Sequence, residues 1–134
     1  MLTERKKVIA SIIKKDNTFL LAQRGKKDAL LGKLEFPGGK LEANETYKEC
    51  LKRELNEEFS VHATVGNYLC SSYFEHKGIP YEMMAFFVTA IEGEFVLHEH
   101  QAIEWVPLEK LQEYDVPEPD KPIIKELLKR KTAQ

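Results

Sequence analysis

The stretch from Met83 to Ala90, Met-Met-Ala-Phe-Phe-Val-Thr-Ala, is almost wholly apolar. A strand made from it has to be covered on both faces, which places it in the middle of a sheet with other elements layered above and below. The rest of the chain supplies those elements. Lys7 to Lys14 is rich in Val and Ile and is followed by Asp16-Asn17 and a second apolar run, Thr18 to Gln23, the pattern of a β-hairpin. Val65 to Phe74 and Tyr81 to Ile91 are strand-like, and Ile103 to Val106 is one more short strand. Leu108 to Gln112 suits a helical turn, and Asp120-Lys121-Pro122 starts a final helix with Asp120 as its N-cap. With no repeat or low-complexity segment, these elements amount to one mixed α/β domain spanning 1–134.

Between the hairpin and the long strands lies the segment that carries chemistry. Gly25 to Lys33 is charged and loop-like, and Phe36-Pro37-Gly38-Gly39 reads as a tight turn in which two glycines permit backbone conformations closed to other residues. Asn44 is placed to cap a helix from about Glu45 to Phe59, with Tyr47, Leu51 and Leu55 four apart on one apolar face. On that helix Glu54, Glu57 and Glu58 fall at spacings of three and four, which forces their carboxylates together. Like charges so placed repel unless a cation intervenes. A hard divalent ion such as Mg²⁺ takes oxygen ligands and keeps room for substrate phosphates, so carboxylates beside a glycine turn suit it.

Gly39, Glu45, Arg53-Glu54-Leu55, Glu57-Glu58 and Val61 keep the spacing of a known signature. The segment resembles the Nudix box, matching every specified position except one. The exception is Ser60, where the family has glycine. A left-handed helix end there would cost a residue with a side chain about 1 kcal/mol. Ala22-Gln23-Arg24, Lys33 to Lys40, His98-Glu99-His100-Gln101, Glu104-Trp105 and Pro119 to Pro122 extend the resemblance to the MutT type of nucleoside triphosphate pyrophosphohydrolase.

That resemblance implies an α/β/α sandwich with a mixed β-sheet and hydrolysis of a phosphoanhydride with Mg²⁺, or Mn²⁺ as a substitute. It implies metal binding by Glu54, Glu57, Glu58, the Gly38 carbonyl and Glu99, and phosphate contacts from Arg24 and Lys40. Arg24 suits a bidentate grip on phosphate and Lys40 a point charge. Glu54 is the residue expected to orient or deprotonate the attacking water. Arg53 and Glu45 hold the carboxylates in place or form an ordinary ion pair. The expected substrate is an oxidised guanine nucleotide such as 8-oxo-dGTP. The alternatives are CTP or dCTP, or a nucleotide-binding module that does not hydrolyse.

Phe36 could lie against the nucleobase, whereas Trp105, on a strand, reads as core. Asp120 has two readings, an N-cap or a reader of the base edge that can only accept hydrogen bonds. His98 and His100 flank Glu99 and could touch metal or substrate.

Composition narrows the partners. A net charge of −2 lacks the basic stripe that a nucleic-acid polymer needs. No run of eighteen apolar residues occurs, so membrane insertion is not expected, and nothing indicates an obligatory protein partner. Cys50 and Cys70 lack metal-type spacing and read as packed thiols in a reducing cytoplasm.

Overall fold

The alternation of side chains along a strand decides the architecture. The computed structural model describes residues 4–23, 25 and 33–133. In strand β1 (Lys6–Lys15), Ile9 and Ile13 point into one core while Ala10 and Ile12 point into another. Strand β2 (Thr18–Gln23) repeats the division, with Leu20 and Ala22 against Phe19 and Leu21. Helix α1 (Tyr47–Phe59) closes the first core with Cys50, Leu51, Leu55 and Phe59. Helix α2 (Lys121–Ala133) closes the second with Ile123, Ile124 and Leu127. Helices on opposite faces of one sheet give the α/β/α sandwich. Full burial of side chains such as Leu51, Leu55 and Phe59 contributes about 1.5–3 kcal/mol each.

Strands β3 (Leu34–Glu35), β4 (Gly38–Lys40), β5 (His62–His76), β6 (Ile79–Glu92) and β7 (Ala102–Pro107) complete the sheet. Its order is β3-β2-β1-β6-β5, with β4 beside β1 and β7 beside β2. Strand β6 lies between β1 and β5, as the apolar run Met83–Ala90 requires. It runs parallel to β1 from Lys6↔Tyr81 to Ile13↔Val88, and the other pairings are antiparallel, so the sheet is mixed. The expected hairpin forms, with Asp16 and Asn17 at φ 50° and 65°. It is short, however: β1 and β2 pair only at Lys14↔Phe19 and Lys15↔Thr18, whereas β2 pairs with β7 along its whole length and with β3 at Ala22 and Gln23.

Two local expectations are corrected. Asn44 does not cap α1. It sits at φ 66° in the preceding turn, and Thr46 is the cap, its hydroxyl accepting from Glu49 N at 3.1 Å while Glu49 Oε1 accepts from Thr46 N at 2.8 Å. Gly38 and Gly39 are strand residues in β4 without left-handed backbone. What excludes a side chain there is proximity, since a Cβ on Gly38 would lie 1.9 Å from Ile9 O. Asp120 immediately precedes α2, as the last residue of a 3₁₀ turn, Glu118–Asp120, that opens after Pro117 and runs straight into the helix. The expected turn at Leu108 is another 3₁₀ segment, Leu108–Glu113.

Candidate active site

Strand β4 and helix α1 meet where the glycines let them. A Cβ on Gly39 would fall 2.3 to 2.5 Å from the carboxyl atoms of Glu54, so the bare backbone of β4 is what admits that carboxylate. Cys50 secures the same junction, its buried thiol donating to Lys40 O at 3.5 Å. Burial pushes the Cys50 thiol up to about 12 and the half-buried Cys70 up to about 11, so both are packed, protonated and unbridged.

Arg53 organises the acidic face. Its Nε and Nη2 donate to Glu45 Oε2 and Oε1 at 2.8 and 2.9 Å, a bidentate pair, and Nη2 also reaches Lys40 O at 3.1 Å. Nη1 donates to Glu54 Oε1 at 2.9 Å and Glu57 Oε2 at 3.2 Å. The guanidinium beside Glu45 holds that carboxyl down to about 2. Its hydrogen bond to Glu45 is the largest cause of a rise in the Arg53 pKa itself.

The three helix carboxylates differ sharply in environment. The side chain of Glu57 is 55% exposed and that of Glu54 only 15%. Burial raises the Glu54 pKa, Arg53 opposes the rise, and Glu57 and Glu99 add to it. Glu58 is 5% exposed, and its Oε2 is buried with no hydrogen-bond partner among the described residues. Burial, then the like charges of Glu54, Glu35 and Glu99, push its carboxyl up to about 9. Among the described residues, as their side chains stand, no group of three or more His, Cys, Asp or Glu is arranged so that it could hold a metal ion. The donor set nevertheless fits a hard divalent ion: carboxylate oxygens from α1, Glu99 near enough to repel them, and a buried oxygen lacking a partner.

Other candidates fall into place unevenly. Lys40 ends β4 and is exposed. Arg24 lies outside the described residues. Phe36 is 3% exposed in the core beneath α2, so its ring presents no face to a nucleobase, and the expectation that it binds substrate is corrected. Asp120 is 2% exposed and its Oδ2 accepts from Phe36 N at 2.9 Å. It fastens the approach to β4 onto the start of α2, a role neither sequence reading contained. Trp105 is partly buried against the first core, edge-on to Phe95.

His98 bonds Ser60, and His100 stacks on Phe59 and bonds Glu35 Oε2 at 3.2 Å. Glu35 escaped the sequence reading. Sixty-five positions separate it from His100, and no local pattern links them.

A NUDIX domain model matches residues 3–127. The chain belongs to the Nudix family. It is similar to the CTP pyrophosphohydrolase of Escherichia coli, 36% identical over 127 residues that cover 95% of this chain and 94% of the relative. It is also similar to an 8-oxo-dGTP diphosphatase of Buchnera aphidicola, 34% identical over 91% of this chain and 92% of that one. Among solved structures, the E. coli ORF135 protein superposes with a TM-score of 0.90 at 35% identity, covering 98% of this chain and 94% of that one. A MutT protein from Methanosarcina mazei shares the fold with a TM-score of 0.86 at 24% identity, covering 98% and 99%. This chain is therefore a Nudix hydrolase, and members of the family generally work with a divalent metal. No described helix is long and apolar enough to cross a membrane.

Proposed function

We propose that this Nudix hydrolase is a nucleoside triphosphate pyrophosphohydrolase that uses Mg²⁺, with Mn²⁺ as a substitute, and releases a nucleoside monophosphate and pyrophosphate. One observation carries the reading: Glu54 packs against the glycine strand, a buried Glu58 oxygen lacks a partner among the described residues, and Glu57 is exposed on the same helix.

A bound divalent ion supplies Lewis-acid polarisation of the substrate phosphates and offsets their charge. Glu54, Glu57, Glu58, Glu99 and the Gly38 carbonyl are the groups that hold it. Glu54 also orients the attacking water and takes its proton. Arg53 keeps Glu54 and Glu57 in position through the Glu45 pair, while Lys40 and Arg24 neutralise phosphate oxygens.

The favoured substrate is an oxidised guanine nucleotide such as 8-oxo-dGTP, supported by the relatives that bear that name. CTP or dCTP is the second reading, supported by the identity to the E. coli CTP pyrophosphohydrolase. One domain over 1–134, a cytoplasmic setting, and a small-molecule substrate in place of a nucleic-acid polymer, membrane or obligatory protein partner complete the proposal.

Pyrophosphate release with Mg²⁺ from 8-oxo-dGTP, dGTP, CTP and dCTP, with dinucleoside polyphosphates and nucleotide sugars alongside, tests it. Turnover of 8-oxo-dGTP with kcat/KM at least about tenfold above dGTP is expected. A preference for CTP or dCTP would select the second reading. Cleavage confined to the polyphosphates and sugars, or binding without turnover, would overturn both.

A further inference from the structure

Ser60 ends α1 at φ 59° and ψ 32°, a left-handed conformation that carries a steric cost for any residue with a Cβ. The glycine of the Nudix box would avoid that cost. Ser60 brings a hydroxyl in exchange, and its Oγ lies 2.7 Å from His98 Nε2. His98 belongs to the loop that passes over the end of α1. In that loop Val96 N donates to Phe59 O at 2.9 Å and His98 N donates to Glu58 O at 3.2 Å, so it satisfies carbonyls that a helix end leaves open. Phe95 packs edge-on to Phe59 at 5.5 Å, and His100 stacks on Phe59 at 5.2 Å. Glu99 lies between the two histidines, one residue beyond the backbone hydrogen bond to Glu58 O and one before the ring that stacks on Phe59.

We infer that Ser60 is a positioning residue for Glu99, its hydroxyl tethering His98 so that the loop presents the Glu99 carboxylate to the helix face. The inference rests on the reading of Glu99 as a metal ligand. Groups that orient a ligand from behind change metal affinity without touching the ion. The tether is a single exposed hydrogen bond added to a loop already held by its backbone, so its loss weakens binding by about threefold to tenfold.

Two substitutions separate the hydroxyl from the backbone. Ser60→Ala removes the tether and keeps the left-handed strain, whereas Ser60→Gly removes both. Metal affinity is read from free Mn²⁺ by electron paramagnetic resonance, and stability from thermal melts of the same samples. Both variants are expected to bind Mn²⁺ about threefold to tenfold more weakly than wild type and equally so. Ser60→Gly is expected to melt about 3–5 °C above Ser60→Ala. His98→Gln, whose amide can still reach Ser60, is expected to bind Mn²⁺ more tightly than His98→Ala.

Mn²⁺ affinity that follows the melting temperature, lost in Ser60→Ala and restored in Ser60→Gly, would make Ser60 a purely structural residue and overturn the inference. Glu99→Gln distinguishes the two levels of the argument. If it weakens Mn²⁺ binding while both Ser60 variants bind as wild type, the tether is wrong and Glu99 stands as a ligand. If Glu99→Gln binds as wild type, the ligand reading fails and the tether falls with it.

Discussion

Gly39→Ala isolates the position of one carboxylate from the stability of the fold. The added Cβ would lie 2.3 Å from Glu54 Cδ and 2.4 and 2.5 Å from its two oxygens. Ordinary contact for such pairs begins near ~3.4 Å, so the carboxylate has to retreat by about 1 Å. The obstructed group is the end of a flexible side chain, and Gly39 has no left-handed backbone, so the fold can yield cheaply. The chemistry cannot if Glu54 orients the nucleophile as proposed, because a displacement of about 1 Å at such a group costs on the order of a hundredfold in rate, or roughly 2.7 kcal/mol. Retreat also disturbs the hydrogen bond from Arg53 Nη1 at 2.9 Å.

Gly38→Ala is the control. Its Cβ would meet the backbone oxygen of Ile9 at 1.9 Å, which breaks the pairing of β1 with β4. Steady-state kinetics at saturating metal and thermal melts on both variants are the assay. Gly39→Ala is expected to melt within about 3 °C of wild type and to lose about a hundredfold in kcat, whereas Gly38→Ala loses the fold. A Gly39→Ala variant with near-normal kcat would refute the assignment of Glu54 to the attacking water.

Two further outcomes follow from the same contacts. Asp120→Ala leaves the buried Phe36 N–H without its acceptor and is expected to destabilise the protein by about 1–3 kcal/mol, while Asp120→Asn, which keeps an acceptor, costs less. Urea midpoints decide it, and an unchanged Asp120→Ala would remove the tether from the account. Glu45 has a folded pKa depressed to about 2, from 4.5, so its pairing with Arg53 stabilises the fold above pH 4.5 and is lost as pH falls through about 2. The urea midpoint of Glu45→Gln should therefore lie below wild type at pH 6 and converge on it between pH 4.5 and 2. A gap that stays constant over that window would contradict the pairing.

Much of this was readable from residue order because it depends on local periodicity. Met83 to Ala90 could only be a central strand, and the spacing of Glu54, Glu57 and Glu58 fixed their common helix. Where the reading failed, it met two chemistries with the same letters. Asparagine and threonine are both good helix caps, and the partner that decided for Thr46 over Asn44 was Glu49, three residues beyond Thr46. A glycine can serve an unusual φ or a close approach, and only the position of Glu54 over β4 shows that Gly39 serves the second. Phe36 beside the glycines could face ligand or core, and its burial depends on α2, far along the chain. The contrast between exposed Glu57 and buried Glu58, adjacent in sequence, likewise arises from what packs on α1. The pairs Glu35 with His100 and Ser60 with His98 join distant segments and leave no local trace.

The most direct test is the Mg²⁺ dependence of pyrophosphate release from the preferred nucleotide, measured for wild type and Glu57→Gln. The amide keeps the shape of the side chain and removes a charge from the exposed edge of the carboxylate face, without touching the core. Wild type is expected to be inactive in chelator and restored by Mg²⁺, and Glu57→Gln to lose at least about a hundredfold in kcat with an unchanged melting temperature. Turnover in chelator, or near-normal turnover of Glu57→Gln at saturating Mg²⁺, would contradict the carboxylate face as the catalytic metal site.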